Sequence, residues 1–201
     1  MKVFKVICAL FVFGFVSVYH AAVIFITEKD AGGNVTSLLG ADNVEVNGLF
    51  YNVRFIDGSC IALFNDCDDP ADFFFLSAHD SIRATEDLLA QVFNDRTIFG
   101  EFPALTSGCE DVSFCNVFTP YELFNSNRVI GYAAVNRSFV HGGGVDLVVS
   151  TSGPVFFDSV VLSSYVYAVW SKPVEASAPG TAMVLLMGIA GLIVSQRRKQ
   201  A

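Results

Sequence analysis

The chain has 201 residues, 53% of them hydrophobic, with 12 Lys plus Arg against 20 Asp plus Glu and a formal net charge of −8. Five of the basic residues sit at the two ends (Lys2, Lys5, Arg197, Arg198, Lys199), so residues 23–196 hold 7 basic against 20 acidic groups, a net of −13. So acidic a middle is repelled by nucleic acid and by anionic lipid surfaces, which excludes nucleic acid as a partner.

In chain order, residues 1–5 form a basic start and residues 6–18 an apolar run. This is the pattern of a secretory signal peptide, assigned to residues 1–22. Ala21 and Ala22 are the small residues of a cleavage site, although Tyr19 and His20 stand where a small residue is preferred. The apolar run resumes at residues 23–26, so an uncleaved segment 6–26 would act as a signal anchor. Either way the middle of the chain is expected to cross the membrane.

Residues 23–170 are long enough for one domain with its own core. Val44, Glu45 and Val46, then Asn47-Gly48, then residues 49–56 form a hairpin signature, because Asn-Gly supplies the two positive-φ positions of a tight turn. In the second strand Leu49, Tyr51, Val53 and Phe55 make the all-apolar face, which is predicted to meet the core. Of the 5 cysteines, Cys8 falls in the signal. The close spacing of Cys60 with Cys67 and of Cys109 with Cys115 favours two local disulfides in an oxidising compartment. Zinc is the competing reading, but neither pair is a C-x-x-C.

An acidic turn containing Asp66, Asp68, Asp69 and Asp72 precedes Phe73, Phe74, Phe75 and Leu76, a dense run read as a buried strand. One helix follows. Asp80 or Ser81 is its expected cap, and Ala84, Leu88, Leu89, Val92 and Phe93 recur at helical spacing until Asn94-Asp95. Residues 96–128 read as loop with short strands. Segments 129–135, 145–150, 155–162 and 165–170 are rich in Val, Phe and Tyr and separated by Gly or Ser, so they read as strands. In the last of them Tyr165, Tyr167 and Trp170 are read as a strand whose aromatic face packs inward, with sugar stacking as the alternative. The sum is a mainly β, β-sandwich-like domain with one α-helix, flanked by an N-terminal signal helix and a C-terminal transmembrane helix.

Residues 171–180 form a linker ending in Ser177, Ala178, Pro179 and Gly180. Residues 181–195 are a predicted transmembrane helix, shorter than the ~20 apolar residues that cross a bilayer core. Residues 196–201 are a basic cytoplasmic tail, in which Arg197, Arg198 and Lys199 act as the topological stop by the positive-inside rule. Pro179 fits the first turn of a helix, where its missing N–H would have no partner.

This tail resembles the PEP-CTERM sorting signal of Gram-negative bacteria: a short Pro-containing motif, a Gly-bearing hydrophobic helix with Gly188 and Gly191, and an Arg-rich end. It departs from the namesake tripeptide, since Glu175 lies upstream and the motif reads Ser177-Ala178-Pro179-Gly180. The resemblance implies an exosortase-type membrane transpeptidase as partner, which would cleave near the motif and release or transfer the exported domain from the inner membrane. It also implies association of the sorting apparatus with exopolysaccharide. The hairpin, the Cys60 loop, the Phe run and the helix look like a cysteine-containing domain that recurs ahead of such tails, which implies no known activity.

Candidate catalytic residues are few. His141-Gly142-Gly143-Gly144 matches the oxyanion loop of some esterases, yet the chain has no G-x-S-x-G elbow, and the motif reads better as a Gly-rich turn. His79 beside Asp80 has the form of a general base held by a carboxylate, and better that of a polar helix entry. The Asp66, Asp68, Asp69 and Asp72 cluster lacks the Gly and distal Glu of an EF-hand. Asn34-Val35-Thr36 and Asn136-Arg137-Ser138 match glycosylation sequons. No cofactor is implied. The functional expectation is an exported cell-surface or extracellular-matrix protein with a structural or binding role. The alternatives are an envelope hydrolase acting on glycans or esters and an unprocessed single-pass membrane-anchored protein.

Overall fold

Asn47 and Gly48 adopt φ of 52° and 78°, the two positive values that a tight hairpin turn requires. They join β2 (Val35–Val46) to β3 (Leu49–Ile56) with Val46 opposite Leu49. The computed structural model describes residues 21–125, 127–142 and 144–173. The expected signal segment up to residue 20, the sorting motif, the transmembrane helix and the basic tail lie outside the described residues. Among the described residues no helix is long and apolar enough to cross a membrane.

The remaining strands are β1 (Ile24–Lys29), β4 (Phe114–Phe124), β5 (Arg128–Arg137), β6 (Leu147–Pro154) and β7 (Tyr165–Ser171). All seven lie in one sheet, in the order β1-β2-β3-β7-β4-β5-β6. Every neighbouring pair is antiparallel except β4 and β7, which are parallel. The domain is therefore mainly β, but it is one mixed sheet and not a sandwich. A helix covers one face and an aromatic, disulfide-bridged segment covers the other, so no second sheet is needed to bury either side.

On the first face lies α2 (Ala78–Gln91), preceded in the chain by the single turn α1 (Cys60–Leu63). Ala84, Leu88, Val92 and Phe93 are buried against Val53, Phe55, Val117, Val166, Ala168 and Trp170. Two polar side chains share this buried stripe. Ser81 Oγ donates to the Thr119 carbonyl at 2.9 Å, and Thr85 Oγ1 donates to the Ser81 carbonyl at 2.7 Å. The helix cap is Ser77, whose Oγ accepts from the Asp80 N–H at 3.1 Å. Asp80 instead occupies the first turn, where its carboxylate accepts from the Ser77 hydroxyl and favours the helix dipole. Gln91 closes the helix earlier than Asn94-Asp95 and pins it to β2, exchanging hydrogen bonds of 2.9 and 2.7 Å with the Glu45 backbone.

On the opposite face Cys60, Phe64, Cys67 and Phe73 pack with Phe118, Val129, Ala133, Val155 and Tyr167. The run from Phe73 to Leu76 is not a strand. The turn Pro70–Asp72, held by a reciprocal Asp69–Asp72 cap, bends the chain immediately before it, and the Ser77 cap follows it. The rings separate to serve both faces. Phe73 meets Phe64 at 5.6 Å between centroids, whereas Phe75 meets Trp170 at 5.4 Å and Tyr51 at 5.7 Å.

Four further expectations are corrected. Residues 96–128 hold α3 (Ile98–Glu101), a turn at Pro103–Leu105 and the long strand β4. Pro120 is tolerated within β4 because pairing with β7 ends at Phe118 and the register against β5 slips beside it. Segment 155–162 is not a strand, since Asp158 caps a turn at Ser159–Val161. Ile24 onward forms an edge strand, so residues 24–26, read as a resumed apolar run, belong to the sheet. Finally, Trp170 points to the α2 side while Tyr167 points to the other, so the aromatics of β7 do not form one face.

Both expected disulfides are present, Cys60–Cys67 and Cys109–Cys115, with Cα separations of 5.7 and 5.8 Å. One is buried in each core. Closing loops of separation 7 and 6 stabilises each by about 2 kcal/mol through the unfolded chain. Replacing either pair with serine is expected to lower stability by about that amount in chemical denaturation, and reductant is expected to abolish the difference between wild type and variant. Gly131 lies where an added Cβ would sit 2.3 Å from the Thr119 carbonyl oxygen and 2.6 Å from the Phe118 ring. Gly131→Ala is therefore expected to cost about 1–3 kcal/mol, read as a lowered unfolding midpoint.

Candidate functional site

Among the described residues α2, α3 and the β5–β6 connection enclose a groove of about 720 Å³. Its floor comes from the C-terminal half of α2 (Glu86, Leu89, Ala90), from Asn94 and Asp95 beyond it, and from Glu101 of α3. The rest of its lining comes from the end of β5 (Arg137), the β5–β6 connection (Phe139, Val140, Gly144, Val145 and Asp146) and β6 (Val148).

Local hydrogen bonds hold that connection. Asp146 Oδ1 accepts from the Arg137 N–H at 2.7 Å and closes the neck, and Ser138 Oγ accepts from the His141 N–H at 3.1 Å. Gly142 and Gly144, at φ 77° and 88°, supply backbone conformations that side-chain-bearing residues avoid. His141 and Gly142 of the His-Gly-Gly-Gly motif accordingly lie in a turn between two strands. With the neck drawn in by Asp146, the apolar tip stands in water: Phe139 is 84%, Val140 66% and Val145 75% exposed.

Burial pushes the Asp146 carboxyl up from its ordinary value, partly offset by the hydrogen bond from Arg137, and the nearby Asp95 adds to the rise. Glu86 is held by Arg83 at 2.7 Å. The groove thus combines an apolar wall with an excess of carboxylates over its one guanidinium. Such a surface can hold a cation with an apolar body by charge and contact together.

The other sequence candidates lie elsewhere. His79 is on the first turn of α2, exposed, with Nδ1 3.4 Å from Asp80 Oδ1. The groove begins only in the second half of that helix, so His79 and the His141 turn are not brought together. The acidic turn is satisfied internally: Asp72 accepts from the Asp68 and Asp69 N–H groups and from Asn65 Nδ2. Those bonds hold the Asp72 carboxyl below its ordinary value, Asn65 contributing most. Among the described residues no three His, Cys, Asp or Glu side chains converge as metal ligands would. The Asn136 sequon is closed, because Asn136 is fully buried and its Nδ2 donates to the Phe99 carbonyl at 2.7 Å. Asn34 is exposed and bonded to Asp30. Burial raises the Tyr167 hydroxyl to about 12 and moves Tyr165 in the same direction. These rings line a dry core and offer no platform for sugar. The four cysteines are consumed in the two bridges.

A second polar node joins distant segments. Ser159 Oγ donates to Asp57 Oδ1 at 2.8 Å and accepts from the Gly58 N–H at 3.0 Å. Sequence reasoning missed both this node and the groove. Neither has a local motif, since partners 101 and 102 residues apart in the chain leave no spacing to read.

No family model, curated protein or solved structure matches the chain.

Burial raises the Asp57 carboxyl, against the pull of the Ser159 hydrogen bond, and the charges of Asp158 and Glu110 add to the rise. A carboxyl raised on folding contributes stability that is full below its unfolded value of 3.8 and is lost as pH climbs through the raised folded value. Asp57→Asn keeps an acceptor for Ser159 and removes the charge. Its melting temperature is expected to exceed that of wild type at pH 7, with the gap narrowing as pH falls toward 3.8 in a pH series of thermal melts.

Proposed function

We propose that this is an exported cell-surface or extracellular-matrix protein with a structural or binding role. Its domain is held at the inner membrane by residues 181–195 until an exosortase-type transpeptidase acts near Pro179 and Gly180. The observation that carries the reading is the pair of disulfides, one in each core. Bridges of this kind form and persist in oxidising compartments outside the cytoplasm. They support export of the segment between the two chain ends, which is where the signal-like start and the sorting-like tail put it. The resemblance of the tail to PEP-CTERM signals supplies the sorting step and, with it, a place near exopolysaccharide.

The role assigned to the domain is binding or structure. Its surface carries an apolar and acidic groove, and His79 lies at the other end of α2 from it. Export, anchoring and release then follow in sequence, with Arg197, Arg198 and Lys199 retained on the cytoplasmic side by their charge.

Intact mass and location in the native host test the reading, with and without the paired change Pro179→Ala and Gly180→Ala. Wild type is expected to lose its tail and leave the inner membrane, while the variant stays full-length in it. A wild-type protein that remains uncut and indistinguishable from the variant would leave a plain anchor in place of a sorting signal.

A further inference from the structure

We propose that the groove between α2 and the β5–β6 connection receives an extended peptide segment of a partner protein, one in which Arg or Lys alternates with aromatic or aliphatic residues. Three properties of the groove select this chemistry.

Charge comes first. Asp95, Glu101 and Asp146 line the groove with Glu86 against a single Arg137. Of these carboxylates, only Glu86 has an ion pair among the described residues, to Arg83. The site therefore favours cations and rejects nucleic acid, phosphates and acidic peptides.

Apolar exposure comes second. Phe139, Val140 and Val145 all line the groove and are 84%, 66% and 75% exposed. Covering such surface is favourable by about 25 cal/mol for each Å² removed from water, which neither a metal ion nor a simple polyamine can exploit.

Size and openness come third. A volume of about 720 Å³ is far larger than an ion needs. A small-molecule site, in turn, encloses most of its ligand, roughly 70–90% of its surface. An extended chain lies along an open groove and covers exposed side chains at successive positions while its cations meet the carboxylates. The proposal does not depend on sorting: peptide binding can fail while the tail is processed, and processing can fail while the groove binds.

The test uses the full chain in nanodiscs of zwitterionic lipid, with empty nanodiscs as blank, and fluorescein-labelled hexapeptides read by anisotropy. Three probes alternate phenylalanine with arginine, phenylalanine with glutamate, and serine with arginine. The Phe–Arg peptide is expected to bind, and to bind at least tenfold more tightly than either of the others. Asp95→Asn with Glu101→Gln removes two carboxylates that accept no hydrogen bond among the described residues, and is expected to weaken Phe–Arg binding about fivefold at low salt, less at high salt. Phe139→Ser with Val145→Ser, on side chains already in water, is expected to weaken it by a similar factor. Thermal midpoints of both variants should match wild type, which separates lost contacts from lost folding. Equal binding of the Phe–Glu peptide would overturn the proposal. So would equal binding of the Ser–Arg peptide, the mark of unspecific adsorption, or wild-type affinity in both double variants. Absence of Phe–Arg binding to wild type would overturn it as well.

Discussion

The structure depends on the insertion of β7 between β3 and β4. Without that strand the chain would offer two separate antiparallel units, β1-β2-β3 and β4-β5-β6, each with its own turns. β7 pairs antiparallel with β3 from Ser171 to Tyr167 and parallel with β4 from Tyr165 to Tyr167. Its side chains complete both cores at once, Val166, Ala168 and Trp170 toward α2 and Tyr167 toward the disulfide-bridged segment. A central strand supplied from the end of the domain makes the sheet complete only when distant parts of the chain have met. Such topologies rely on long-range pairing more than on local turns.

Each face is closed by a different device. The α2 face uses an amphipathic helix whose buried stripe includes two hydroxyl residues, and Ser81 converts one of them into an anchor on the Thr119 carbonyl. Trp170 Nε1 donates to Thr119 Oγ1 at 3.2 Å, so one residue of β4 ties both the helix and β7. The other face has only a single-turn helix and short turns, which would not persist alone in water. A bridge from Cys60 to Cys67 and the ring cluster of Phe64, Phe73, Phe118 and Tyr167 hold that segment down. The three consecutive phenylalanines link the devices, since Phe73 belongs to one core and Phe75 to the other.

This arrangement leaves one end of α2 and the β5–β6 connection to make a surface of their own. Asp146 is used structurally at the neck, where the Arg137 N–H holds it, and electrostatically within the groove. Four carboxylates thus stand beside exposed apolar side chains. That is a composition suited to recognition. It is consistent with a binding role at the cell surface, the role proposed for the domain once the tail has delivered it.

The sequence alone determined the features that are local in physical origin. The Asn47-Gly48 turn was legible because two positive φ values are needed at adjacent positions. The register of α2 was legible because Ala84, Leu88 and Val92 return every four residues to one stripe, with Phe93 beside it. The bridges were legible because short spacing leaves few other geometries. The tertiary structure decided what no spacing encodes. Apolar density in residues 73–76 and 155–162 looks like strand, but Asp69, Asp72 and Asp158 cap turns there and send the chain across or along the sheet. Most of β2 was hidden because Ser37, Gly40 and Asn43 break its alternation, with a register slip between Ala41 and Val44. The groove was hidden for the same reason as the place of β7. Its walls come from α2, α3 and the β5–β6 turn, and only the sheet's order of pairing brings them together, an order fixed by which faces can be buried simultaneously.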